Sequence, residues 1–321
     1  MPSSDSVHIS GALTEFAVAY PVGNFISPFL CPTVMVANQF DEYHILDAAR
    51  RASARHDEVR SPGSAATLVD YATTSGSYRC EGHTLRHQIT DEQRANADTP
   101  LQPERDGVNF LAKTMLTTQD YLLKVALDAS LTATDPTHEW DDYDNGDVYS
   151  DIDTAIDAIE DATSGLTPNA IAMDSKVWRK TRNHPDVLAR LVAGGTNVVP
   201  AQATRQGFAD LFGFDYVFVG NVNENVAVQG QTASMSRVWG SDVYIMYVEP
   251  MPSQMTPTCC MRLTWRPFAG STEGFKVETA RAAEPSAYAD EIIMGKYYDQ
   301  KVTLAGAGYR LQNRLATGPQ S

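Results

Sequence analysis

Residues 165–187 read GLTPNAIAMDSKVWRKTRNHPDV, and this stretch decides the fold class. The apolar run Asn169–Met173 predicts a short buried strand, bounded by the turn residues before it. Ser175 opens a helix toward His184, which Pro185 interrupts because proline cannot continue a helix. Asp186–Val192 predicts a further helical turn or two. A strand between helices indicates an α/β unit at the centre of the chain.

Helices and strands alternate on both sides of this stretch. Before it, Ser150 with Asp153 forms a variant capping box that opens a helix Asp151–Thr163, which Gly165 ends. After it, we predict a helix Gln202–Phe212 ended by Gly213, strands Asp215–Val219, Val243–Val248, Met261–Trp265, Gly274–Thr279 and Ile292–Val302, and a turn Gly220–Asn225. The middle is therefore α/β and the ends are rich in strands.

The longest predicted helix precedes this centre. Asp106 is its expected N-cap, and it continues to about Ala133, roughly 40 Å at 1.5 Å per residue. Its expected apolar face is formed by Val108, Leu111, Met115, Leu122 and Val125. Such a length is unusual for a compact domain.

The first hundred residues contain too little apolar sequence for a core of their own. Residues 1–40 predict an extended arm. The uncharged stretch Phe16–Phe40 argues against a signal peptide or a membrane span, because it is broken by Pro21, Gly23, Asn24, Pro28 and Pro32. Residues 41–104 predict a long exposed hairpin with strands Thr67–Tyr71 and Ser77–Ile89. Both segments therefore need a partner surface.

Composition narrows the class of protein. The 321 residues, 43% hydrophobic and 20% charged, predict one large or two ordinary globular domains. A net charge of −15 argues against general nucleic-acid binding. Residues 135–161 hold eleven Asp and Glu and no Lys or Arg. Cys31, Cys80, Cys259 and Cys260 form no CxxC pair, so we expect four reduced thiols.

No motif predicts a catalytic, cofactor or metal site. Cys80, His83 and His87 lack a fourth zinc ligand. The run from Asp141 to Asp147 departs from the calcium-loop template, which needs Glu where Ile152 stands. Gly306-Ala-Gly308 lacks the third glycine of a dinucleotide loop, and Thr272 replaces the serine of a nucleophile elbow. These absences, with the arm and hairpin, favour an assembling structural subunit rather than an enzyme.

Several segments together resemble the major capsid proteins of tailed bacteriophages, which have the Hong Kong 97-type fold. Their order and spacing, over most of the chain, carry the resemblance. They are Tyr20–Val36 with Phe25-Ile26, Leu30, Pro32, Val34 and Val36; Trp140-Asp141 with Ser150–Ile159; Gly165 with Pro168–Ile171, Met173, Val177-Trp178 and His184–Val187; Phe208–Asn225 with Asp215–Gly220; and the strands from Val238 onward.

The resemblance implies an α+β fold with five parts. They are an N-terminal arm (1–40), an extended hairpin loop (41–104), a peripheral domain with a long spine helix (105–149), an axial α/β domain (150–275) and return strands to the peripheral domain (276–321). The implied function is the major capsid protein of a tailed double-stranded DNA virus. Hexamers and pentamers of it would close into an icosahedral virion shell, assembled in the host cytoplasm.

The implied partners are other copies of the chain, a separate scaffolding protein, a portal, a decoration protein and packaged DNA held without sequence-specific contacts. No membrane, cofactor or metal is implied. The scaffold is expected to be separate because the arm pattern begins by Tyr20, leaving no room for a fused one. One rival is an encapsulin shell with the same fold and an enzyme cargo. A second is a soluble α/β enzyme or binding protein of one to four subunits.

The acidic run also predicts a dependence on salt. If these carboxylates face their symmetry mates, shells would be more stable in high salt, or with calcium or magnesium, than in dilute chelating buffer. The alternative is that the carboxylates form a solvated outer surface.

Overall fold

The computed structural model describes residues 7–9, 25–45, 59, 62–63, 65, 74–97, 102–193, 202–227, 231–253, 256, 258–271, 274–282, 284 and 288–316. Fifteen strands and seven helices lie within these residues, besides short 3₁₀ turns. The strands are β1 Val7–Ile9, β2 Thr33–Val36, β3 Phe40–Ile45, β4 Thr74–Arg79, β5 Glu81–Thr90, β6 Thr132–Thr134, β7 Ala170–Asp174, β8 Tyr216–Gly220, β9 Asn223–Asn225, β10 Met235–Arg237, β11 Val243–Met246, β12 Cys260–Trp265, β13 Lys276–Arg281, β14 Ala289–Val302 and β15 Gly308–Leu311. The helices are α1 Ser27–Leu30, α2 Asp91–Ala95, α3 Pro103–Ser130, α4 Val148–Thr163, α5 Ser175–Thr181, α6 Pro185–Ala193 and α7 Arg205–Phe212.

The central stretch folds as a fully buried strand followed by two helices. Asp174 is the last residue of β7 and the N-cap of α5. Its carboxylate accepts a hydrogen bond from the backbone N–H of Lys176 at 2.7 Å. The predicted single helix toward His184 ends at Thr181, and Pro185 starts α6 at a position where its missing N–H costs nothing. Asn169 precedes β7. Its side-chain oxygen accepts from the Val248 N–H at 2.8 Å, and its side-chain nitrogen donates to the Val248 carbonyl at 2.9 Å.

β7 lies inside a five-stranded mixed sheet of order β6-β15-β11-β7-β8. β7 runs parallel to β8 and β6 parallel to β15, while β11 is antiparallel to both of its neighbours. Helices α4 to α7 pack on one face, around a core that includes Ile152, Ile159, Trp178, Phe208 and Ile171. The α/β centre predicted from the sequence is therefore present, although β6 and β15 come from distant parts of the chain.

α4 begins three residues earlier than predicted. The predicted cap was Ser150, but the side chain of Asp147 accepts from the Ser150 N–H at 2.9 Å and starts the helix at Val148. This earlier start buries Val148 in the core, which a start at Asp151 would not do. At the other end Ser164 takes the left-handed cap position, at φ 61°, and Gly165 follows at φ 90°.

A second, six-stranded sheet is organised by the 14-residue strand β14. β14 pairs with β5, β13 and β12, and the sheet continues to β1 beyond β13 and to β2 beyond β12. The predicted strand Ser77–Ile89 is divided at the buried Cys80, because β4 pairs with β3 and β5 pairs with β14. β3 and β4 form the base of the predicted hairpin, and the predicted strand Thr67–Tyr71 lies outside the described residues.

The arm segment is partly buried rather than laid only on the surface. Phe25, Ile26 and Leu30 enter the core beside α3, and β2 adds a parallel strand to β12. The sequence predicted that Phe16–Phe40 does not span a membrane. Within the described residues, no helix has both the length and the apolar character needed to cross one.

The long helix α3 spans 28 residues, about 42 Å at 1.5 Å per residue. It begins at Pro103 rather than at Asp106, whose carboxylate accepts from the Gln102 N–H at 3.2 Å. Val108, Leu111 and Met115 are buried as predicted, but Leu122 is only half-buried and Val125 is exposed. The second half of the helix buries Leu116, Leu123 and Leu127 instead.

Asp120, in the middle of α3, connects three parts of the chain. Its buried carboxylate accepts from the Ser27 N–H at 3.1 Å, from the Ile26 N–H at 3.4 Å and from Trp239 Nε1 at 2.9 Å. Burial raises the pKa of this carboxyl above its ordinary value, although the hydrogen bonds from Ser27, Ile26 and Trp239 act to lower the pKa. The arm, the long helix and the Trp239 segment beside the five-stranded sheet therefore share one acceptor.

Asp120→Ala is expected to lower the free energy of unfolding of the unassembled subunit by about 2–4 kcal/mol, since it leaves buried N–H donors without an acceptor. Urea unfolding followed by circular dichroism measures this. Asp106→Ala, the same substitution at an exposed site on the same helix, should cost less than about 1 kcal/mol. Equal costs for the two variants would contradict the role assigned to Asp120.

Candidate assembly surfaces

The residues considered for chemistry have structural contacts instead. Cys80 Sγ donates to the Leu263 carbonyl at 3.4 Å, His83 stacks on Tyr298 with centroids 4.4 Å apart, and the His87 ring lies 6.2 Å from Phe110. In the part of the chain that the structure describes, no group of three or more His, Cys, Asp or Glu could hold a metal ion. All four cysteines are buried free thiols.

The glycine motif at Gly306 is also accounted for by packing. Gly306 lies in a 3₁₀ turn, Ala305–Ala307, that packs against Ala162 of α4. Thr272 of the elbow-like stretch lies outside the described residues.

A groove lies between α3 and the β5–β14 pair. It measures 370 Å³ and is lined by Arg79, Glu81, His83, Leu122, Tyr298, Asp299, Gln300 and Lys301. Burial lowers the pKa of His83 and raises that of Tyr298 to about 12, so both rings are neutral at pH 7. Stacked on each other, these rings form part of the groove wall.

Part of the acidic run is used inside the chain. Asp151 accepts from Trp140 Nε1 at 2.8 Å and pairs with Arg314 at 2.5 Å, and Arg314 is only 1% exposed. Arg314 also donates to the Thr134 carbonyl at 3.0 Å. This buried pair holds the segment after β15 against the start of the acidic run.

Two further carboxylates of the run bind the same C-terminal segment. Asp135 accepts from the Asn313 amide at 3.1 Å, and Asp141 accepts from the Ala316 N–H at 3.1 Å. The sequence predicted either an interface or a solvated surface for these acidic residues. The structure adds a third role, which is to bind the chain's own C-terminal segment.

The outer face of α3 exposes large apolar side chains. Phe110 is 62% exposed, Tyr121 45% and Val125 47%. Their positions in the helix fall on one side of it, where the Phe110 ring also lies 6.2 Å from His87 of β5. Exposed apolar groups of this size along one helix are typical of a contact surface rather than of a free monomer.

A second exposed surface lies at the edge of the five-stranded sheet. β8 is the last strand of that sheet, so one side of its backbone has no partner strand among the described residues. Along it, Phe29 stacks on Phe218 and Phe218 on Tyr216, both with centroids 5.7 Å apart. An open strand edge beside three aromatic rings is a favourable place for another chain to bind.

Comparison with known proteins gives a consistent result. No protein-family model matches the chain. A curated relative, the major capsid protein of Pseudomonas phage JBD67, is 24% identical over 248 residues, covering 74% of this chain and 77% of that protein.

Solved structures show the same fold. A phage-related protein from Bordetella bronchiseptica RB50 matches with a TM-score of 0.70 and 20% identity, covering 95% of this chain and 97% of that one. The capsid of cyanophage P-SCSP1u matches with a TM-score of 0.55 and 13% identity, over 89% and 87%. The Hong Kong 97-type α+β capsid fold predicted from the sequence is therefore confirmed.

An encapsulin also has this fold. The encapsulin complex SrpI from Synechococcus elongatus PCC 7942 matches with a TM-score of 0.54 and 12% identity, covering 92% of this chain and 89% of that one. Fold alone therefore does not distinguish a phage shell from a protein-filled compartment.

Arg314→Ala is expected to cost about 3–5 kcal/mol of unfolding free energy, because it leaves the partly buried Asp151 without its cation. Arg86→Ala, which removes an exposed pair with Glu291, should cost less than about 1 kcal/mol. Both are measured by urea unfolding. In a double-mutant cycle with Asp151→Ala, a coupling energy near zero would show that the Asp151–Arg314 ion pair does not stabilise the fold.

Proposed function

We propose that this chain is the major capsid protein of a tailed double-stranded DNA phage. In this role it assembles as hexamers and pentamers into an icosahedral shell around the packaged genome. The observation that carries the proposal is the sequence similarity to a phage major capsid protein over 74% of the chain, joined to the same fold in phage structures. The encapsulin has only the fold in common with this chain, which favours the phage role.

The architecture supports a structural rather than a catalytic role. The exposed apolar face of α3, the open edge of β8 and the two-stranded ribbon of β3 and β4 are surfaces for binding other chains. The groove beside His83 contains polar side chains, but a constellation of nucleophile, base and oxyanion donors is not assembled there. We therefore assign the chain no enzymatic activity.

We assign the proposed parts as an arm (1–40), an extended loop (41–104), a peripheral domain with α3 as the spine helix (105–149), an axial domain (150–275) and return strands (276–321). In this assignment the sheet of the axial domain also takes in β6 and β15 from the neighbouring parts. The two sheets, joined through α3 and Asp120, correspond to the axial and peripheral bodies, and the six-stranded sheet takes in β12 from residues 150–275 as well as β1, β2 and β5 from the arm and loop.

The proposed partners follow from the shell. They are other copies of this chain, a separate scaffolding protein, a portal and a decoration protein, with the DNA held inside without sequence-specific contacts. The proposed location is the virion capsid, after assembly in the host cytoplasm. A net charge of −15 fits a shell that encloses DNA without binding it tightly, because DNA phosphates are also negative.

Electron microscopy of the purified protein tests this proposal. We expect shells or shell fragments built of five- and six-membered rings, with nuclease-protected DNA inside particles purified from infected cells. Particles of the same fold that enclose a folded protein cargo and no DNA would support the encapsulin alternative. A compact species of one to four subunits would overturn both shell proposals in favour of a soluble α/β protein.

Mature shells are expected to lack covalent cross-links between subunits. Some capsid proteins of this fold join a lysine of the extended loop to a distant asparagine, but here Lys113 is the first lysine of the chain. The extended loop (41–104) therefore contains no lysine side chain that could form such a bond. Particles boiled in detergent should migrate as monomers near 35.1 kDa, and a ladder of covalent oligomers would contradict the prediction.

A further inference from the structure

Two oppositely charged surfaces lie in the helix layer of the five-stranded sheet. Asp153, Asp157 and Asp161 recur every fourth residue along α4, so they form one acidic stripe, and all three are exposed. Lys176, Arg179 and Lys180 form a basic patch on α5, where Lys176 and Arg179 are exposed and Lys180 lies 5.8 Å from the Tyr143 ring.

The two surfaces do not neutralise each other within the chain. No residue of the stripe or the patch forms an ion pair with another described residue. Two carboxylates at the start of α5 and α6 have other cations, since Asp174 pairs with Arg237 and Asp186 with Arg190, although Arg179 adds to the positive charge that acts on Asp174. The two surfaces therefore remain available to other molecules.

Their positions in the layer differ. α4 packs over β15 and β11, whereas α5 packs over β7 and β8, so the stripe and the patch lie toward opposite edges of the sheet. The buried side chains of each helix pack in the core of the helix layer, and the stripe and the patch lie on the solvent-exposed parts of their helices. A chain with two different complementary surfaces can form a head-to-tail contact, which closes a ring when the rotation between copies closes.

We propose that the acidic stripe of one copy binds the basic patch of the next copy in the ring. This inference rests on the proposed shell function and names residues that hold neighbouring subunits together. Charge complementarity selects a second copy as the partner, because each copy carries both the stripe and the patch. The contact is head to tail, since two stripes placed face to face would repel each other. This contact predicts that high salt weakens the assembly, because salt screens the attraction between stripe and patch. The acidic run alone predicts the opposite, namely shells that are more stable in high salt.

Charge reversal tests the contact. Asp157→Lys/Asp161→Lys makes the acid-reversed chain, and Lys176→Glu/Arg179→Glu makes the base-reversed chain. At low salt each should form rings with a contact about tenfold weaker than that of the natural chain. The chain carrying all four substitutions should recover ring formation, because the pairs are restored with opposite polarity. Sedimentation gives the assembled fraction, and thermal unfolding confirms that each variant folds.

Glu92→Lys/Glu284→Lys is the matched control. It changes the net charge by the same amount as acid reversal, at two exposed carboxylates outside the five-stranded sheet. We expect this control to assemble like the natural chain. In about 1 M salt, where the Debye length is about 3 Å, the difference between the acid-reversed chain and the control should disappear.

An equal mixture of the two reversed chains gives the sharpest test. The two chains can alternate around an even ring, so class averages of micrographs should show six-membered rings again. A five-membered ring cannot alternate and must contain one repulsive contact, so five-membered rings should stay rare. Normal rings from the acid-reversed chain alone at low salt would overturn this contact and leave the shell function standing. A natural chain that forms no rings at all would instead overturn the proposed function and the contact with it.

Discussion

The structure depends on one buried carboxylate that serves three donors. Asp120 lies in the middle of the longest helix and accepts from two backbone groups of the arm and from the Trp239 indole. A buried carboxylate must be compensated by hydrogen bonds, and buried backbone N–H groups must find acceptors. Each partner therefore satisfies a requirement of the others, and the arm, the spine helix and the five-stranded sheet are fixed relative to each other.

The acidic run illustrates how one composition can serve two purposes. Asp135, Asp141 and Asp151 are bound by the C-terminal segment, and the Asp151–Arg314 pair is largely removed from water. The carboxylates on the outer face of α4 have no such partners among the described residues and point into solvent. Counting charges along the sequence could not separate these groups, because the partners of the first group lie at the opposite end of the chain.

The same limit applies to the spine helix. Its existence and length followed from periodicity, yet the apolar face predicted from Val108 to Val125 was only partly right. The helix packs against β5 and β14 from Gly107 to Leu122, while Asp120 on another side meets the arm and the Trp239 segment. The buried surface is therefore wider than one face. Helical spacing describes a single face, and it cannot anticipate that two different bodies will cover two sides of the helix.

Local patterns in the sequence predicted the secondary-structure elements, and the order of its motifs predicted the fold class. A buried strand between helices, a long helix and an arm without a core follow from spacing and turn residues that act over a few positions. Which distant segments meet depends on the tertiary structure alone. The pairing of β6 with β15, the division of one predicted strand at Cys80 and the opposite placement of acidic and basic helices all depend on long-range contacts, which no local pattern encodes.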